Sequence, residues 1–217
     1  EIASMKTEDL ISMMASGVAP VDRRLPVKQM AQALVLGGLG SLLLMLKIYG
    51  LRPDLAVMLG VPLFWIKLAF PTTLAVGAML VLRRLVRPGL RVGANWAGIA
   101  LPAMAVWLGG AAVLLSAPVA QRLPLLMGIS WRSCPFNIAL LSVPAFIASF
   151  WALRGAAPTQ LAWAGAGAGL LAGALGALVY ALHCPEMATP FLAVWYLAGI
   201  AIPTALGAML GPRLLRW

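Results

Sequence analysis

Acidic residues are scarce in this chain of 217 residues, with six Asp and Glu against sixteen Lys and Arg. Histidine occurs once, at His183, and cysteine twice, at Cys134 and Cys184. Charged residues make up 10% of the chain, where a soluble domain carries about 25%. Each scarcity excludes something. There is no Cys-x-x-Cys and no His-x-x-x-His, so neither a ready-made dithiol nor a zinc motif is written locally. A Gly-rich phosphate loop, paired carboxylates and a Ser/His/Asp set are all missing, and no enzyme is indicated. No Asp or Glu falls inside a long apolar run, which argues against an ion-coupled transporter, since such proteins work through intramembrane acids. Polar residues come first and the apolar run starts late, unlike a cleavable signal peptide.

What fills the chain is apolar: 62% of it is hydrophobic. A bilayer crossing takes about 20 apolar residues. Six runs of that kind are visible, near 29–48, 56–82, 96–116, 134–153, 161–183 and 189–210. The expected fold is all-α, a six-span transmembrane helical bundle with a short cytoplasmic N-terminal helix. Residues 1–4 precede Met5 and read as a cloning remnant, 5–26 form a hydrophilic segment, and 27–217 form the bundle. Within the first segment Thr7 can cap a helix, with Glu8 and Asp9 favourably placed in its first turn. Leu10, Ile11, Met13 and Met14 then share one face, and Gly17 and Pro20 close the helix. Such a helix suits the lipid surface or a soluble partner. The connection 117–133, rich in Leu, Pro, Met and Trp, predicts a short helix on the membrane surface.

The formal charge of +10 suggests nucleic acid in a soluble protein, but here it marks loops on one side of a membrane. Six spans return the chain to its starting side. Lys6, Arg23, Arg24, Lys28, Arg83, Arg84, Arg87, Arg91, Arg154, Arg213 and Arg216 fall on that side, and Lys47, Arg52, Arg122 and Arg132 on the other. This bias puts both termini in the cytoplasm. Cys134 opens the fourth span and Cys184 follows the fifth, so a hairpin of adjacent spans brings both to the outer, periplasmic face.

Three readings of that pair stand together. One is a disulfide or redox switch in an oxidising compartment. Another is a metal site in which His183 joins the thiols, with Glu186 as a hard ligand. The third is two unrelated buried fillers. Lys67 is the one charge well inside a span, and an intramembrane charge is a functional candidate; backbone carbonyls near Pro71 or a lipid headgroup are its expected partners. Gly165, Gly169 and Gly173 form a GxxxGxxxG row that suits close helix packing, within the chain or across a homodimer.

The block Trp131-Arg132-Ser133-Cys134-Pro135, with Asn137-Ile138 and Leu140-Leu141-Ser142-Val143-Pro144, resembles the NrsF-type anti-sigma proteins. So do Tyr180-Ala181-Leu182-His183-Cys184-Pro185-Glu186, Phe191, Trp195-Tyr196, Gly199-Ile200 and the ending Leu214-Leu215-Arg216-Trp217. The start, Met5 to Ile11, fits the same pattern. The resemblance implies a bacterial inner-membrane negative regulator of an extracytoplasmic-function (ECF) sigma factor. By it, residues 5–26 bind the sigma factor, with Leu10, Ile11, Met13 and Met14 as the grip, and Cys134 and Cys184 sense a heavy metal or an oxidant. It implies no resident cofactor beyond a transient heavy-metal ion at the cysteines, and no direct nucleic-acid contact. The competing expectation is a membrane thiol oxidoreductase or small metal transporter using the same cysteines.

Overall fold

The computed structural model describes residues 7–16, 25–87, 89–156 and 158–216. The expected cloning remnant, and residues 5–6 and 17–24 of the N-terminal segment, lie outside them. Helix α1 (Thr7–Ala15) comes first, and its residues are all exposed. It begins with Glu8 and Asp9 in its first turn, where the partial positive charge of the helix favours acids.

Six helices among the described residues are long and apolar enough to cross a membrane. They are α2 (Leu25–Ile48), α4 (Pro62–Leu85), α5 (Ala97–Ser116, preceded by a 3-10 turn Gly93–Trp96), α7 (Cys134–Arg154), α8 (Leu161–Tyr180) and a composite last helix. The last begins as α9 (Thr189–Phe191), passes through a π-helical stretch (Leu192–Tyr196) and continues as α10 (Leu197–Leu214). Two short helices, α3 (Leu55–Met58) and α6 (Val119–Met127), lie in the connections. α6 supplies the expected surface helix of the 117–133 connection, with Val119 and Leu123 exposed.

Two of the boundaries that differ from expectation bear on the site. The second span does not start at Ala56. α3 ends, the chain extends at Val61 (φ −96°, ψ 118°), and Pro62 opens α4. Proline disfavours helical backbone in the residue before it and suits the first helical position itself. The fifth helix stops at Tyr180, short of His183. Its end is tightened by Cys184 N–H donating to the Tyr180 carbonyl (2.9 Å), and Pro185 then directs the chain away.

α8 sits at the centre. Its core window is 67% buried, against 11% for the span that includes α5, so α5 is peripheral and α8 is walled by protein. Small residues make this possible. A methyl group at Gly165 would strike the Gly207 carbonyl, and one at Gly169 the Pro203 carbonyl, both on α10. One at Gly176 would lie 2.8 Å from the Ile138 carbonyl of α7. Close approach of this kind is what holds helices together where lipid removes the hydrophobic drive. The expected glycine row is therefore consumed inside the chain. Gly165, Gly169 and Gly173 are buried against α10, so they offer no seam to a second copy.

The bundle has two chemically different ends. At one, Arg83 and Arg84 end α4, Arg154 ends α7, and its Nε donates to the Leu214 carbonyl (2.9 Å) at the end of α10. At the other end lie Tyr49, Arg52, Cys134, His183, Cys184 and Glu186.

Candidate functional site

Cys134 is the first residue of α7, and Cys184 lies in the turn after α8. These adjacent antiparallel helices return both to the same end, as the hairpin argument predicts. Both are free thiols, both are 0% exposed, and both belong to one buried cluster with Phe191 and Tyr196. The structure thus unites the two cysteines in one apolar core without bonding them.

His183 does not join them. Its ring packs at a tilt against Tyr49, centroids 5.2 Å apart, and Nδ1 lies 3.1 Å from the Gly50 carbonyl, a hydrogen bond in which that nitrogen carries the proton. Neighbouring residues in a turn point different ways: Cys184 faces the core while His183 faces the end of α2. Among the described residues, no three His, Cys, Asp or Glu side chains gather as a metal site.

Glu186 has another task. Its Oε1 accepts the backbone N–H groups of Ile129 (2.6 Å) and Ser130 (3.1 Å) and the Ser130 hydroxyl (3.3 Å). Gly128, at φ +55°, turns the chain so that these donors converge. The carboxylate therefore ties the loop that leads into Cys134 to the loop that follows Cys184.

Lys67 lies on α4, five residues after Pro62, roughly 7–8 Å along the helix from its start. It is 0% exposed. Its Nζ donates to the Cys184 carbonyl at 2.6 Å and stands 5.7 Å from the centre of the Tyr196 ring. The expected partners, carbonyls near Pro71 or a headgroup, are replaced by a carbonyl 117 positions away. Arg52 reaches the same carbonyl at 3.4 Å, while its Nε and Nη2 hold the Asp54 carboxylate at 2.6 and 2.8 Å. That guanidinium keeps the Asp54 carboxyl below the usual carboxylate range.

Several residues to which the sequence reading gave no site role complete the site. The Tyr49 hydroxyl donates to Asn137 Oδ1 (2.9 Å), and Asn137 Nδ2 donates to the Tyr180 hydroxyl (3.3 Å), so α2, α7 and α8 share one polar chain. Trp195 Nε1 donates to the Leu126 carbonyl (2.9 Å) and packs on Trp131 at 5.3 Å. The Tyr196 hydroxyl is buried in the same cluster as the cysteines, with no hydrogen-bond partner among the described residues. One signal for these was available: tyrosine and asparagine amid apolar residues need partners when buried.

Fold and site together define a six-helix membrane protein with a dry cluster of two thiols and an ammonium at one end and a basic rim at the other. The family described as negative regulator of sigma F (NrsF) matches residues 14–217. A relative from Azospira oryzae, named a probable anti-sigma-F factor, is 45% identical over 215 residues, covering 98% of this chain and 100% of its own. Another from Caulobacter vibrioides, named an anti-sigma-F factor, is 37% identical over 214 residues with the same coverage. The chain belongs to the NrsF family. This is a regulatory, non-enzymatic class, and the expectation of a thiol oxidoreductase falls with it. No solved structure matches the chain.

Proposed function

We propose that this protein is a bacterial inner-membrane anti-sigma factor that holds an ECF sigma factor through residues 5–26 and releases it when Cys134 and Cys184 react with a heavy-metal ion or an oxidant. Both termini are cytoplasmic and the cysteines are periplasmic, which follows from the excess of Lys and Arg at the opposite end of the bundle. The binding role is supported by α1. Leu10 is 41% exposed, Ile11 61%, Met13 60% and Met14 72%, an apolar face on a helix of nine residues. A helix that short is marginal alone and gains stability by burying such a face against a partner.

The sensing role rests on one observation: two free thiols share a buried cluster at the end of the bundle opposite to the one where α2 begins. A thiolate at either sulfur binds soft metals, and it is also the form that reacts with oxidants. A change at the cysteines reaches α2 through Tyr49 and Asn137, and α2 leads back to the N-terminal segment. A differential of about 1.4 kcal/mol between the two states changes sigma-factor affinity tenfold.

Deletion of residues 5–26 tests the binding role: co-purification with the cognate sigma factor is expected to vanish, and undiminished binding would overturn it. Serine at both cysteines tests the sensing role. Sigma-factor release on exposure to cadmium or peroxide is expected to stop, and a normal response would make the cysteines structural.

A further inference from the structure

α7 and α10 run side by side from the cysteine end towards the basic end, and the small residues of α8 draw both onto it. Gly176 lies against Ser142 of α7, and Gly169 and Gly173 lie against Pro203 of α10. The side chains that face away from α8 are left apart, and an open apolar groove runs between them. Ala139, Val143 and Phe146 form one wall, and Ile202, Leu206 and Leu210 form the other. Ser142, the polar side chain of the lining, already donates its hydroxyl to the Ala139 carbonyl (2.7 Å). The walls therefore offer contact without a side-chain hydrogen bond, which suits a hydrocarbon chain.

The two ends of the groove differ. Towards the cysteine end α7 and α10 close together, and a methyl group at Gly199 would stand 2.8 Å from Ile138 Cβ. Towards the basic end the walls continue into arginines. Arg213 follows Leu210 and Arg154 follows Phe146 at spacings that stay on one side of a helix, and both are exposed. Arg154 Nε donates to the Leu214 carbonyl. Among the described residues, the other N–H groups of Arg154 and all those of Arg213 have no partner. The described carboxylates are elsewhere: Glu8 and Asp9 on the exposed α1, and Asp54 and Glu186 at the cysteine end. From Ile202 to Arg213 the helix rises about 16 Å, which matches the ~15 Å depth of one leaflet of the hydrocarbon core. A helix C-terminus favours arginine by itself. An apolar groove one leaflet deep, ending at two guanidinium groups without counter-ions, fits in addition an apolar chain with an anionic head.

We propose that this groove holds an anionic phospholipid of the leaflet at the basic end, with one acyl chain along α7 and α10 and the phosphate between Arg154 and Arg213. A guanidinium presents its N–H donors in a planar fork, and phosphate oxygens accept them in pairs. The lipid links the ends of α7 and α10 from outside, as the contact of Arg154 with the Leu214 carbonyl links them from within. The site depends on the membrane-spanning fold alone and is independent of the cysteines and of the sigma-factor segment.

The test is native mass spectrometry of the full chain in mild detergent, with equal amounts of phosphatidylglycerol and phosphatidylcholine carrying the same acyl chains. One phosphatidylglycerol per chain is expected to be retained roughly tenfold over phosphatidylcholine, the equivalent of one charge-assisted contact. Arg154→Gln combined with Arg213→Gln is expected to remove the preference, and Leu206→Trp, which fills the groove, to remove the retained lipid. Arg213→Gln alone keeps the tether to Leu214, so it carries the test if the double variant does not fold, and it is expected to lower the preference. Arg87→Gln, just past α4 and away from the groove, is expected to leave the preference unchanged. Equal retention of the two lipids, an unchanged preference in Arg213→Gln, or an equal loss in Arg87→Gln would overturn the site. Dimers that Leu206→Trp dissociates would put a second copy of the chain in the groove and overturn it as well.

Discussion

Glu186 accepts the backbone N–H of Ile129 at 2.6 Å and that of Ser130 at 3.1 Å, bridging the two cysteine-bearing connections of the bundle. The bridge spans 57 positions and does without covalent chemistry what a disulfide between these loops would do. Glu186→Ala is expected to cost about 0.5–1.5 kcal/mol, the net worth of such a bond where water can replace the lost acceptor. Hydrogen exchange at Ile129 and Ser130 checks it: both amides should exchange faster, and Glu186→Gln, which keeps one acceptor, should fall between.

Asn137 is the hub between two tyrosines. Asn137→Leu leaves the Tyr49 and Tyr180 hydroxyls without their partner and is expected to destabilise the protein by about 1–3 kcal/mol. A double-mutant cycle with Tyr180→Phe in thermal unfolding checks the link, because the two changes should be less than additive.

Glycine packing predicts opposite outcomes at two positions. Gly169→Ala drives a methyl group into the Pro203 carbonyl of α10 and is expected to cost about 1–3 kcal/mol. Gly38→Ala meets nothing within 4 Å and, mid-helix, should be neutral or raise stability by up to about 1 kcal/mol. Unfolding temperatures in detergent distinguish the two.

The Arg52–Asp54 pair predicts a pH dependence. Arg52 lowers the folded-state pKa of Asp54 from its ordinary 3.8, so its stabilising effect is present above that pH. It is lost as pH falls through the depressed value. Asp54→Asn is therefore expected to lower the unfolding temperature at pH 6, with the gap to wild type closing in the acid range below the ordinary carboxylate pKa. Unfolding curves at both pH values check the sign.

Six spans were legible because composition alone forces them: runs of about 20 apolar residues have few other stable states. Their borders were less so. Ala56 looks as apolar as Leu63, and only Pro62, with an extended Val61 before it, divides a surface turn from a span. The meeting of Cys134 with Cys184 was legible too, since any hairpin of adjacent spans returns its ends to one face. The divergence of His183 was half legible, from the angle between neighbouring residues. Its actual partners, Tyr49 and Gly50, belong to another helix.

By itself the sequence determined a membrane bundle, a basic end, a cysteine end and an exposed amphipathic N-terminal helix, because each depends on local composition or periodicity. Only the tertiary structure decided that Gly165, Gly169 and Gly173 are consumed by α10, that Glu186 latches two loops, and that Lys67 donates to the backbone carbonyl of Cys184. These depend on which helix faces α8 and α4, and at what rotation. Apolar spans of similar composition carry little information about that; the close approach of backbones at glycine, and the need to satisfy each buried donor, select the arrangement.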